Sequence, residues 1–162
     1  MAVLVAEVKM KSPNDSATQT THLVMPTDAN TYGSAFGGYI MSLMDIAAGI
    51  CASRHCEGPA LTAAVDELVF KNPIRVGDVV IIKASVNYVG KTSMEVGVRV
   101  EREDHVTRTL EHCLSGYFTF VAVNSNGRPI LVKPLMLNTD EEKRRHNEGK
   151  ARKENRTKER KF

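Results

Sequence analysis

The spacing of hydrophobic positions changes along the chain, and the changes divide it into elements. Ile82, Ala84, Val86 and Tyr88 alternate with Lys83, Ser85 and Asn87, the period-two pattern of a strand with one face in a core. Met94, Val96, Val98 and Val100 alternate in the same way with Glu95, Arg99 and Glu101. Between them, Gly90-Lys91 predicts a two-residue type II′ hairpin turn with glycine first. Leu61–Asn72 and Thr107–Val123 predict two longer strands, the first stopped by Pro73 and the second bent at Gly116. Thr20–Met25 predicts an opening strand ended by Pro26, and Asn126-Gly127 turns the chain into a short last strand near Pro129–Val132.

From Gly37 to about His55 the chain is apolar or small at nearly every position, which predicts one long helix closed by Glu57-Gly58-Pro59. A helix apolar on all sides has to be surrounded, because an open face would leave Ile40, Leu43, Met44 or Ile50 in water. The reading is an α+β domain over residues 20–139: an antiparallel sheet of five to six strands wrapped round one central helix, its cover completed by a second subunit. Residues 1–19 hold no sustained period and read as a flexible arm. Residues 140–162 are almost wholly charged and read as a solvated helix or a disordered tail, with no apolar stripe to add to a core.

Composition changes this picture little. The 162 residues suit one domain, and no apolar run is long enough to span a bilayer. The N-terminus lacks a basic lead-in and a small-residue cleavage pattern, so the expectation is a cytoplasmic protein. Three cysteines without CxxC spacing read as free thiols rather than as a disulfide framework or zinc site. The net charge of +3 belongs to the tail, where ten Lys and Arg face six Asp and Glu, leaving the remaining chain at −1. That tail has one aromatic residue and the chain has no helix-turn-helix pattern, so nucleic acid is not the expected partner.

One charge, Asp45, interrupts the apolar helix. An isolated carboxylate in an apolar setting is costly unless it is bonded, so Asp45 reads as partnered or functional. On the helix it shares a face with Gly38, Met41, Ala48, Gly49 and Ala52, mostly small residues that allow close approach. Gly37 and Gly38 would present unpaired amides at the positive end of the helix dipole, suited to an oxygen gaining negative charge. Asn30, in the polar connector before the helix, offers a donor and an acceptor for a water or a carbonyl.

The blocks PTDANTYGSAFGGYIMSLMDIAAGICASRH, TAAVDELVFKNPIRVGD and VNYVGKTSMEVGVRV, in that order, closely resemble the acyl-CoA thioesterases of the hotdog fold, over about Thr21 to Pro134. The resemblance implies a sheet wrapped round the helix, a dimer at least, and assembly in some members to a trimer of dimers. It implies an active site that joins an Asn of one subunit to an Asp on the helix of the other, here Asn30 and Asp45. Asp45 would then act as general base on water or attack the thioester directly. It further implies coenzyme A contacts from Gly90, Lys91, Thr92, Ser93 and Met94 at the hairpin, from Arg54 and His55 at the helix end, and from Phe70 near the end of the Leu61–Asn72 run. No cofactor or metal is expected, coenzyme A being part of substrate and product. His22, His105, His112 and His146 have no partner at metal-ligand spacing.

Two other activities fit parts of this pattern. A hotdog dehydratase needs a His near the thioester, where this chain has Asn30. A non-catalytic acyl-CoA sensor would use the basic tail for nucleic acid. The tail could also cap a neighbouring subunit or reach the ligand phosphates.

Overall fold

The computed structural model describes residues 9–66 and 68–159. Five antiparallel strands form one sheet in the order β1-β3-β4-β5-β2. They are β1 (Thr18–Leu23), β2 (Ala60–Val65), β3 (Val79–Val89), β4 (Ser93–Glu103) and β5 (Leu110–Ala122). Helix α1 (Gly37–Cys56) lies in the concave side of the sheet, and α2 (Asp140–Glu159) lies on the outer side. Strand alternation sorts the side chains as the sequence predicts. Ile82, Val86, Val96, Val100, Leu114, Phe118 and Phe120 turn inward and are buried with Ile40, Met44, Ala47 and Cys51 of α1. Among the described residues no helix is long and apolar enough to cross a membrane.

Several expectations are corrected. β1 starts at Thr18, and residues 9–19 are not a loose arm. Ser12, Ser16 and Thr18 are buried, Lys11 pairs with Glu57 at 2.8 Å, and the backbone amide of Met136 donates to the Lys11 carbonyl at 2.9 Å. Residues 1–8 lie outside the described residues. β2 stops at Val65 rather than Asn72. Beyond it, among the described residues, the amides of Asp66 and Lys71 donate to the Tyr117 and Cys113 carbonyls of β5 and the Asn72 side chain donates to the His112 carbonyl, while the chain between Asp66 and Lys71 leaves the ladder. The irregularity in the β4–β5 pairing falls between Val100 and Glu101, where Cys113 of β5 is skipped, and not at Gly116; the side chains of Leu68 and Met44 occupy the space a Cβ at 116 would need. The expected sixth strand is a single bridge, Val123 to Pro129.

The hairpin is also built differently. Val89 pairs with Met94, the Gly90 amide donates to the Ser93 carbonyl at 2.7 Å, and Lys91-Thr92 are the two turn residues. Gly90 is not among the positive-φ glycines, so a left-handed conformation is not what it supplies.

The charged tail is helical, started by a capping box: Thr139 Oγ1 accepts from the Glu142 amide at 3.1 Å and Glu142 accepts from the Thr139 amide at 3.0 Å. Its outer face carries the expected spaced pairs, such as Arg144–Glu148 and Arg145–Glu141. Its inner face docks on the sheet through polar groups. The Glu95 carboxylate, 1% exposed, receives a bidentate contact from Arg152 whose guanidinium lies 3.5 Å from the centre of the Tyr117 ring. Arg156 adds a bond of 2.6 Å to Asp66. Gly149 lets the helix come this close, since a Cβ there would lie 2.9 Å from Glu95 Oε1.

Candidate active site

Asp45 sits in the third turn of α1 and is half-buried, with Oδ1 accepting a hydrogen bond of 2.7 Å from the hydroxyl of Thr62 on β2. The carboxylate is therefore anchored on one oxygen, and Oδ2 has no hydrogen-bond partner among the described residues. Around the pair the surface is apolar and open. Met41, Ile46 and Ile50 of α1 and Leu61 and Val65 of β2 are between 38% and 57% exposed in the single chain. α1 is thus covered by the sheet on one side only, and a patch of this kind marks an interaction surface.

The N-terminus of α1 is uncapped: Phe36 at the cap position makes no side-chain bond, and the amides of Gly37 and Gly38 donate to no group among the described residues. Phe36 lies over Gly38, its ring 2.5 Å from where a Cβ would stand, so a larger residue there would have to displace that ring. Phe70 reaches the same helix end, 3.7 Å from a Cβ built on Gly37. The fold therefore brings together Gly37, Gly38 and Phe70 at one end of α1, with Asp45 and Thr62 further along it.

Asn30 is exposed in the connector, and its Oδ1 accepts from the amides of Tyr32 at 2.9 Å and Ser34 at 3.2 Å. Backbone amides can only donate, so the oxygen is fixed in the turn and the NH₂ group faces outward as a donor. The expected choice between donating and accepting is thereby narrowed to donating.

Three of the expected ligand contacts have other places. His55 is fully buried; its Nε2 donates to the Lys133 carbonyl at 2.9 Å and Nδ1 has no partner. Burial holds its imidazole below the ordinary histidine value. Arg54 is exposed but donates to the Ala17 carbonyl and Thr18 Oγ1, at 3.2 and 3.1 Å, so it ties α1 to the start of β1. Met94, 1% exposed, belongs to the inner core. Gly90, Lys91, Thr92 and Ser93 remain at the surface end of the β3–β4 hairpin.

Thr62 is the site residue that sequence reasoning missed, because threonine is ordinary in strands and only the position of Asp45 across from it gives it meaning. The thiols of Cys51 and Cys113 are buried, the former pushed up to about 11 by desolvation. Among the described residues no group of three or more His, Cys, Asp or Glu could hold a metal ion.

The model of the thioesterase superfamily matches residues 32–109. Protein VdlD of Helicobacter pylori is 43% identical over 137 residues, 85% of this chain and 78% of that protein. The acyl-CoA hydrolase of Staphylococcus aureus, solved with butyryl coenzyme A, coenzyme A and coenzyme A disulfide, superposes with a TM-score of 0.88 at 33% identity, covering 94% of this chain and 93% of that one. It has also been solved as single alanine variants of an Asn, an Asp and a Thr. A hexameric acyl-CoA thioesterase superposes with a TM-score of 0.89 at 36% identity, over 93% of this chain and 97% of that one. By sequence and by fold alike, this chain belongs to the thioesterase superfamily and has its hotdog architecture.

Proposed function

We propose that the protein hydrolyses acyl-CoA thioesters to a carboxylic acid and free coenzyme A, in an active site completed between two subunits. The observation that carries this reading is a carboxylate held on one oxygen by Thr62, free on the other, and set in an open apolar face. Asp45 Oδ2 takes a proton from water as the water oxygen bonds to the thioester carbonyl carbon. Charge gathers on the carbonyl oxygen, which the Gly37 and Gly38 amides at the positive end of α1 stabilise. Collapse breaks the C–S bond, and the proton leaves with the thiolate as coenzyme A thiol. The partner's Asn30 donates its NH₂ to the water or the carbonyl, the orientation left to it by the turn that holds its oxygen.

The related Staphylococcus aureus hydrolase supports this assignment, since the Asn, Asp and Thr replaced in its variants are spaced by 15 and 17 positions, as Asn30, Asp45 and Thr62 are. The apolar face is the natural seat of a second copy, and the likeness to a hexameric thioesterase supports a trimer of dimers. A dehydratase would need a His at the thioester; of the histidines, His55 is buried under Lys133 and His112 bonds Ser115 on β5.

The test is free-thiol release from short to long acyl-CoA esters by wild type and Asp45→Asn. The expected loss in the variant is at least about a hundredfold with the fold retained. Equal release by both proteins would sink the assignment of Asp45. Release by neither, with acyl-CoA still bound, would make the acyl-CoA sensor the better reading.

A further inference from the structure

β2 serves both helices within four residues. Thr62 donates to Asp45 of α1 on the concave side of the sheet, and Asp66 accepts from Arg156 of α2 on the outer side. Residues four apart on a regular strand share a face, so an unbroken β2 could not reach both. The break is a bulge. Thr62 pairs with Phe120 and Ala64 with the next residue of β5, Thr119, which leaves Ala63 as the extra residue without a partner. Ahead of the bulge Thr62 faces inward with Phe120, which packs in the core with α1. Ala63 and Ala64 then both line, with Thr119, a recess of about 250 Å³ beneath α2, so two successive side chains turn outward. Val65 lies opposite the inward Phe118, and Asp66 gives its amide to Tyr117, whose ring lies under Arg152.

Arg156 holds the strand beyond the bulge. Its Nη1 lies 2.6 Å from Asp66 Oδ2 and 3.6 Å from Oε2 of the buried Glu95, so it ties the end of β2 to β4 in the middle of the sheet. Within the chain β2 is an edge strand, paired with β5 alone. A slip of one residue that removed the bulge would turn either Thr62 outward, away from Asp45, or Asp66 inward, away from Arg156. We infer that Arg156, through Asp66, locks the bulged register of β2 and is thereby a positioning residue for the Asp45 carboxylate. The charged C-terminal helix sets the aim of the Thr62 hydroxyl from the opposite side of the sheet. This rests on the assignment of Asp45 to thioester hydrolysis. The helix does not need Arg156 for its own place, since Arg152 holds Glu95 bidentately and Lys153 Nζ fills the space that a Cβ on Gly90 would need.

The experiment measures butyryl-CoA hydrolysis by wild type, Arg156→Ala, Thr62→Val, the double variant and Lys158→Ala. Lys158 is exposed on the same turn of α2 and controls for a change of charge alone. Arg156→Ala is expected to lower kcat at least about fivefold with KM within about twofold, and Thr62→Val at least as much. If Arg156 acts through Thr62, adding Arg156→Ala to Thr62→Val changes kcat by less than about twofold, a non-additivity that a general loss of stability would not produce. Lys158→Ala should match wild type. Unchanged kcat in Arg156→Ala or in Thr62→Val, a change in KM alone, an equal loss with and without the Thr62 hydroxyl, or an equal effect of Lys158→Ala would each overturn the inference. Should Arg156→Ala lose helical circular dichroism, Asp66→Ala takes its place in the comparison under the same criteria, because it leaves every residue of α2 intact. If wild type cleaves no thioester, the hydrolase reading fails by itself. The crystal structure of Arg156→Ala then decides: Thr62 Oγ1 more than about 3.5 Å from Asp45 Oδ1 upholds the positioning role, and the hydrogen bond kept overturns it.

Discussion

The two faces of the sheet hold their helices by opposite means. On the inner face β3, β4 and β5 offer Val, Ile, Leu and Phe to α1, and the join is apolar burial without direction. On the outer face the same strands offer Glu95, Tyr117 and Tyr88 to α2, and the join is a bidentate Arg152–Glu95 pair stacked on Tyr117, closed by Gly149. Alternation along one strand separates Val96 from Glu95 by a single position, so each strand carries both kinds of join at once. The inner join is tolerant of sliding and depends on volume. The outer one fixes the helix in a single register, because only one placement puts Arg152 on Glu95 and Lys153 on the hairpin.

The contrast breaks most sharply at Arg152. Arg152→Ala leaves a buried carboxylate with Arg156 at 3.6 Å as its remaining cation, and removing one partner of such a pair costs about 3–5 kcal/mol. Undocking of α2 limits the cost, so the expected outcome is loss of helical circular dichroism from the tail with the sheet intact. Glu95→Leu combined with Arg152→Met removes both charges and should restore much of the docking; a double variant as damaged as the single one would show that the pair is not what holds the helix.

A smaller effect separates the faces by pH. Burial lowers the His55 imidazole, whose Nε2–H is given to Lys133, and His112 on β5 is lowered too, first by burial. Below about pH 6.5 the unfolded chain then binds more protons than the native one, so stability falls as pH drops through that range. Urea midpoints at about pH 7.5 and 5.5 should differ less in His55→Gln than in wild type. An unchanged difference would remove His55 from the account.

The same contrast explains what the sequence could reveal. β3, β4 and α1 were legible because apolar burial leaves a period, and Asp45 stood out as the one charge in an apolar run. α2 left no such trace: its docking uses three residues at helical spacing, Gly149, Arg152 and Arg156, inside a segment where every charge looks solvated. Leu61–Asn72 read as one strand because an apolar run does not record where its amides go, and here the chain leaves β5 between Asp66 and Lys71. Gly90 read as a turn glycine, whereas its use is spatial. His55 was expected as a ligand contact from the resemblance alone, while the last turn of α1 is covered by the segment around Val132 and Lys133. Asn30 and Asp45 were visible as residue types, while the expectation that they meet across two subunits came from resemblance rather than from pattern.

The central claim is that the open apolar face of α1 and β2 becomes an active site only when two subunits share it. The direct measurement is thiol release by mixed oligomers of Asp45→Asn and Asn30→Ala, each nearly inactive alone, made by co-expression or by unfolding and refolding together. A shared site regenerates one intact Asp45 and Asn30 pair in every mixed dimer, so statistical mixing predicts recovery of about a quarter of wild-type activity. Activity no higher than that of either variant alone would contradict it and place both residues of each site within one chain.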